Sequence, residues 1–119
     1  MSSSSKVVLV TGGRDYWDKA KVWKEMDLIN AGCDVKMVIS GGATGADALA
    51  EEWAAERGIH TAVVKARWSA YGRRAGPMRN GAMMLLKPDL VVAFPGGSGT
   101  NGMCAIAEAT GVTVVRISP

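Results

Sequence analysis

Apolar positions along this chain follow two alternating rhythms. The runs KVVLVT (6–11), VKMVIS (35–40), TAVVK (61–65), DLVVAF (89–94) and VTVVRI (112–117) are short, β-branched and almost unbroken in their hydrophobicity. A strand wet on one face alternates apolar with polar residues. Continuous runs instead predict strands buried on both faces, as in a parallel sheet. Between them, over 17–31, 45–57, 77–87 and 100–110, the apolar spacing lengthens to the helical period. Val22, Trp23, Met26 and Ile29 make one stripe; Ala46, Leu49, Ala50, Trp53 and Ala54 make a second. Five strands joined by four crossover helices predict the α/β class: a doubly wound, parallel five-stranded sheet in the order 3-2-1-4-5, with helices on both faces.

A sheet of this kind receives ligands beyond the carboxyl ends of its strands, where the winding reverses. Three of those ends carry glycine-rich loops: TGGRDY after the first strand, SGGATGAD after the second and PGGSGT after the fourth. Bare backbone lets N–H groups face an anion, and each loop leads into a helix start, where the dipole favours negative charge. The expected ligand contacts are Gly12, Gly13, Arg14 and Asp15; Gly41, Gly42, Ala43, Thr44, Gly45 and Asp47; and Pro95, Gly96, Gly97, Ser98, Gly99 and Thr100. A plainer reading of Gly41, Gly42 and Gly45 is a tight strand-to-helix turn. Two familiar motifs do not fit. Gly97 to Gly102 spells GxGxxG, yet the next strand ends RISP, without the acidic residue a dinucleotide site wants there. No loop carries the lysine and hydroxyl of GxxxxGK[ST].

Gly76-Pro77 reads as an N-cap followed by proline at the first helical position. That would set Arg79 in a first turn, where a cation opposes the helix dipole. A residue placed at such a cost is a candidate phosphate ligand, with Asn80 beside it; the alternative is a surface arginine folded back on Asp89 or Glu108. The surrounding stretch KARWSAYGRRAGPMR (65–79) holds five basic residues and no acidic one, interleaved with Trp68 and Tyr71. A pocket for a phosphorylated small molecule, a single-stranded nucleic-acid groove and a solvated basic loop are all compatible with it. Carboxylates available for catalysis are few. Asp47 is one candidate, with Glu51 a turn later, although Thr44-x-x-Asp47 also reads as a capping box. Asp15 is another, equally open to capping the first helix with Asp18.

Composition narrows the classes further. A chain of 119 residues fits one domain, expected over 6–119 after a disordered serine tail (1–5). No apolar run approaches the ~20 residues of a membrane span, and MSSSSK lacks the core of a signal peptide, so the expected location is cytoplasmic. Cys33 and Cys104 lie far apart, and His60 is the only histidine, near the start of the third strand. Neither a zinc site nor a Ser-His-Asp arrangement is expected, and no metal or cofactor is assigned. Four tryptophans and seven methionines are many for so small a core. Trp17, Trp23 and Trp68 therefore predict an apolar interface and at least a homodimer.

Taken in order, VTGGRDY, ISGGATGADALAEEWA, AGPMRNGAMM, PDLVVAFPGGSGTNGM and GVTVVRI resemble the SLOG superfamily, and within it the short YspA-like branch found in phages and bacteria. The resemblance covers nearly all the chain after residue 5 and implies a Rossmann-like fold. The superfamily's LOG phosphoribohydrolases cleave the N-glycosidic bond of nucleoside monophosphates, using PGGxGT followed by glutamate and an upstream M-x-x-R-K helix. Here Pro95, Gly96, Gly97, Gly99 and Thr100 match PGGxGT, Arg79 matches the helix arginine, and Asn80 replaces the lysine. Gly102 and Met103 stand where those enzymes carry glutamate. Cleavage through an oxocarbenium-like state needs a carboxylate. The expectation is therefore a protein that binds a nucleotide or nucleotide-derived signal, as sensor or sequestering protein. An N-glycosidase using Asp47 or Asp15, with Arg79 a further catalytic candidate, and a DprA-like single-stranded DNA binder, are the alternatives.

Overall fold

The computed structural model describes residues 5–119; the expectation of a disordered tail falls almost wholly on residues 1–4, outside the described residues. Five strands, β1 (Lys6–Thr11), β2 (Val35–Ser40), β3 (His60–Val63), β4 (Leu90–Ala93) and β5 (Thr113–Arg116), form one parallel sheet. Their order is β3-β2-β1-β4-β5, as the alternation of runs predicts. Because β1 lies between β2 and β4, the chain winds outward in both directions from it, and the reversal falls between β1 and β4.

The unbroken apolar runs are explained by what covers each face. Val8 and Val10 of β1 point one way, into a cluster with Val22 and Met26 of α1 (Lys19–Cys33) and Leu49, Ala50 and Trp53 of α2 (Ala46–Glu56). Val7 and Leu9 point the other way, onto Met83 of α4 (Ala75–Met84) and Met103 and Ala107 of α5 (Ser98–Ala109). Both predicted helical stripes enter the first cluster, and Trp23 and Ile29 pack at its margin. Trp53 is completely buried, and its indole N–H donates to Asp27 Oδ1 at 2.9 Å, so the largest core side chain leaves no polar atom unpaired.

Several boundaries differ from expectation. The first helix begins two residues later than 17, because Asp18 alone caps it, accepting from the Lys21 amide at 3.1 Å. Asp15 is exposed and takes no part in the cap. Between β3 and α4 lie a short helix, α3 (Trp68–Tyr71), and a 3-10 turn (Gly72–Arg74), within the stretch whose composition is also compatible with a basic loop. Trp17, Leu28 and Leu85 are well exposed, at 57%, 61% and 80%, whereas Trp23 is half-buried beneath the Lys19 ammonium. Among the described residues no helix is long and apolar enough to cross a membrane.

Candidate functional site

The three glycine loops meet on one rim, and Gly13 ties them together. Its amide donates to Pro95 O at 2.8 Å, and its carbonyl accepts from Tyr16 N (3.2 Å) and Ala46 N (3.1 Å). A side chain there would lie 2.9 Å from Pro95 O, and one on Gly96 would lie 2.7 Å from Gly13 N. Gly45, at φ +74°, faces the carbonyls of Gly13 and Arg14, so both its backbone and its surroundings reject a Cβ. These glycines are bare so that loop can pack on loop. Gly97 and Gly99 differ: nothing lies within 4 Å of where their side chains would be.

That contrast separates two kinds of amide. Gly42 N donates to Ser40 Oγ (3.1 Å), and Ala43 N donates to Asp47 Oδ2 (3.2 Å), which the Gly41 amide also approaches. The first three amides of the second loop are thus spent on the side chains that flank it. In the fourth loop Gly97 is the N-cap of α5, no side chain caps it, and the first turn contains no acid. The first helical bond runs from Asn101 N to Gly97 O (3.0 Å), so the amides of Ser98, Gly99 and Thr100 have no acceptor inside the helix. The helix expected from residue 100 thus starts two residues earlier, at Ser98. Thr100 is the third helical residue and buried, and Met103 lies a turn deeper, fully buried in the second core cluster.

Arg79 also sits elsewhere than expected. The helix starts at Ala75, not Pro77, so Arg79 lies beyond the first turn, and dipole opposition does not single it out. Packing does. Half-buried, it donates from Nη1 to Gly41 O (3.0 Å) and from Nε to Asn80 Oδ1 (3.2 Å), while Asn80 Nδ2 donates to Gly99 O (3.3 Å). Asp89 instead accepts from Val7 N and Glu108 pairs with Arg116, so neither takes the guanidinium. Desolvation lowers the pKa of Arg79, opposed by Asp47 and reinforced by Arg14. The Thr44–Asp47 capping box does not form: Gly45 is the N-cap of α2, and Thr44 Oγ1 donates to Arg14 O at 3.0 Å. Asp47 is buried, and desolvation pushes its pKa up to about 6, against the pull of the Ala43 amide and Arg79.

These groups line a cleft of about 690 Å³ at the reversal of the sheet. Gly12, Gly13 and Arg14 form one wall; Ala43, Asp47, Arg79 and Asn80 a second; Gly97 to Thr100 a third. A smaller cavity of about 290 Å³ adjoins it, lined by Arg14, Gly41 to Thr44, Lys65, Ala66, Trp68 and Arg79. Asp15, Gly45, Pro95 and Gly96 line neither. His60 begins β3, at the opposite end of the sheet. Sequence reasoning left out Val10, Thr11, Arg73, Gly76, Pro77, Met83, Gly102 and Ile106, which complete the larger cleft, and it left Lys65 and Trp68 in an undecided loop. The five basic residues in a row without an acid were the signal. Among the described residues Arg14, Lys65, Arg67, Arg73, Arg74 and Arg79 form no salt bridge, whereas Lys19, Lys21, Arg57 and Arg116 on the far surfaces do.

Residues 6–71, from β1 through α3, match the YAcAr family, the YspA, cpYpsA-related SLOG family. The chain belongs to this family. Its match to the Gene 61 protein of Mycobacterium phage D29 runs over 117 residues at 33% identity, covering 92% of this chain and 94% of the phage protein. Among solved structures, the X-ray structure of DNA processing protein A (DprA) from Streptococcus pneumoniae superposes with a TM-score of 0.76 at 21% identity. The superposition takes in 97% of this chain but 51% of DprA, so this SLOG chain spans about half the length of that protein, and the likeness is one of fold. The family match holds the first two glycine loops, Lys65 and Trp68; Arg79 and PGGSGT lie beyond it.

Proposed function

We propose that the protein binds a nucleotide or nucleotide-derived signalling ligand by its phosphate and retains it, acting in the cytoplasm as a sensor or sequestering protein. The observation that carries this reading is the start of α5. Three unclaimed amides, an uncapped helix end and no acid in its first turn open into a cleft flanked by the unpaired Arg14, Arg73 and Arg79. An anion is the complement of that wall. The cleft's apolar lining, with Met83, Ile106 and Trp68, suits the base and sugar. At Gly102, the position beside Asn80, no carboxylate reaches toward the cleft. In the same reading the protein is a homodimer, through apolar surface of the kind formed by Trp17 and Leu28.

A panel of ribo- and deoxyribonucleoside monophosphates tests the reading by calorimetry and by chromatography for free base. Tight binding without release supports it, and absence of binding refutes it. Asp47 favours a second reading, N-glycosidic hydrolysis, because a carboxyl titrating near 6 inside the cleft is suited to proton transfer near neutrality. Base release that Asp47→Asn abolishes would establish that. A third reading, single-stranded DNA binding, draws on the exposed Arg67, Trp68, Tyr71, Arg73 and Arg74. It predicts affinity falling by roughly 0.7 log units per neutralised phosphate per log unit of salt, far more steeply than a pocket ligand would.

A further inference from the structure

The smaller cavity is not needed to hold one phosphate at α5, and its chemistry is distinct. Arg14, Lys65 and Arg79 converge on it, and among the described residues none of the three forms a salt bridge. Cations around a concave wall repel one another more strongly than on open surface, because the low-dielectric walls focus their field. Of the three, Arg79 finds partial relief in the Gly41 carbonyl and the nearby Asp47 carboxylate, while the amides of Gly42 and Ala43 are already bound to Ser40 and Asp47 and add no donors to the cavity. Each cation is nevertheless held in place. Arg79 is fixed through Gly41 O and Asn80, which occupies two of its five N–H donors. The Arg14 guanidinium lies 5.0 Å from the Trp68 ring centroid, and its carbonyl is bound by Thr44. The stem of Lys65 runs over Gly42, where a side chain would come within 2.9 Å of Cγ.

We infer that this cavity is a second anion site and that the ligand is a nucleotide carrying two separated anionic groups, one at the start of α5 and one between Arg14, Lys65 and Arg79. The inference rests on the nucleotide reading above. Arg14, Ala43, Trp68 and Arg79 border both cavities, so a single ligand can span them without leaving the protein surface. Arg79, with three N–H donors uncommitted, stands between the two anions. Lys65 borders only the smaller cavity, which makes it the residue that distinguishes one anionic group from two.

The test is calorimetry on the full chain with the 5'-monophosphates, 5'-diphosphates and 3',5'-bisphosphates of the four common ribonucleosides, in wild type, Lys65→Ala and Lys65→Arg. At least one doubly phosphorylated form is expected to bind roughly ten-fold or more tightly than its monophosphate. Lys65→Ala should remove that gain and leave the monophosphate unchanged, and Lys65→Arg should restore it. Lys65 is exposed and outside both core clusters, so the substitution leaves the fold intact. If monophosphates bind and no doubly phosphorylated form gains, or if Lys65→Ala weakens both forms equally, the second site is refuted and the nucleotide reading stands. If no member of the panel binds, both fall.

Discussion

Replacing Asp47 with asparagine offers the sharpest physical test of how the rim is built. Asp47 is 5% exposed, and desolvation raises its pKa from the usual 3.8 to about 6. The folded protein therefore holds a proton on this group at pH values where the unfolded chain has released it. In that window the native state binds more protons, so stability falls as pH rises from about 4 to about 6 and stays lower above it. A displacement of roughly two pH units, at about 1.36 kcal/mol each, amounts to about 3 kcal/mol. The substituted amide has no charge to desolvate. Its oxygen can keep the Ala43 N–H bond, while its NH₂ group opposes Gly41 N, a cost that does not vary with pH. The expected result is that the stability difference, variant minus wild type, grows by about 3 kcal/mol in the variant's favour between pH 4 and pH 7. Urea denaturation at half-unit pH intervals measures it. A difference that is the same at both ends would mean that Asp47 is ordinarily hydrated, and the account of a buried carboxylate beside Arg79 would be wrong.

Other consequences are open to simpler experiments. Arg79→Ala removes a charged donor to the ligand, worth about 1.5–3 kcal/mol, so nucleoside monophosphate affinity should fall roughly ten- to hundred-fold by calorimetry; unchanged affinity would leave Arg79 the role of bracing Gly41 and Asn80. Met103→Glu buries a carboxylate in the second core cluster and should lower the thermal midpoint drastically, whereas Gly102→Glu borders the cleft and should stay folded by circular dichroism; equal behaviour would contradict the placement of α5. Light scattering at micromolar concentration should give twice the chain mass, and Trp17→Ser together with Leu28→Ser should return it to one; a monomeric wild type would refute self-association through that surface.

The sheet was legible because its strands are buried on both faces, which leaves an uninterrupted apolar signature; the strand order is one of several that right-handed crossovers allow, and the structure shows the expected one. Helix starts were harder to read. Pro77 and Thr100 both look like first-turn residues, yet α4 starts earlier because Gly72–Arg74 feeds it directly, and α5 starts at Ser98 because Gly97 is free to serve as cap. Arg79 was picked out by a dipole argument that its position does not support; what distinguishes it is its bond to Gly41 O, a contact 38 residues distant in sequence. Glycine count also conceals a division of labour. Nothing local distinguishes Gly13 and Gly96, which lie against neighbouring loops, from Gly97 and Gly99, which face open space, since the difference lies in what stands opposite each α-carbon. Lys65 was hidden for a similar reason, since it is the pairing of β3 beside β2 that sets it over the second loop, and Trp68 because the chain after β3 turns back to stack on Arg14.

The knot of backbone around Gly13 bears on how such a site moves. Three loops share hydrogen bonds through a single residue, so the first cannot move without releasing the other two, and neither of those can swing out without breaking its bond to the first. Hydrogen exchange at Ala46, Gly13 and Tyr16 should consequently report a single opening event of common free energy rather than three independent fluctuations. A ligand arriving at this rim meets amides already in position and orders little backbone on binding. Any conformational message it sends must then travel through a part that is less tied. Residues 68–74 fit that description: α3 and the turn after it contain no buried residue, and they touch the rim chiefly through the Arg14–Trp68 stack. Rigidity in one half of the site and looseness in the other is the mechanical arrangement that a receptor, more than a storage vessel, requires.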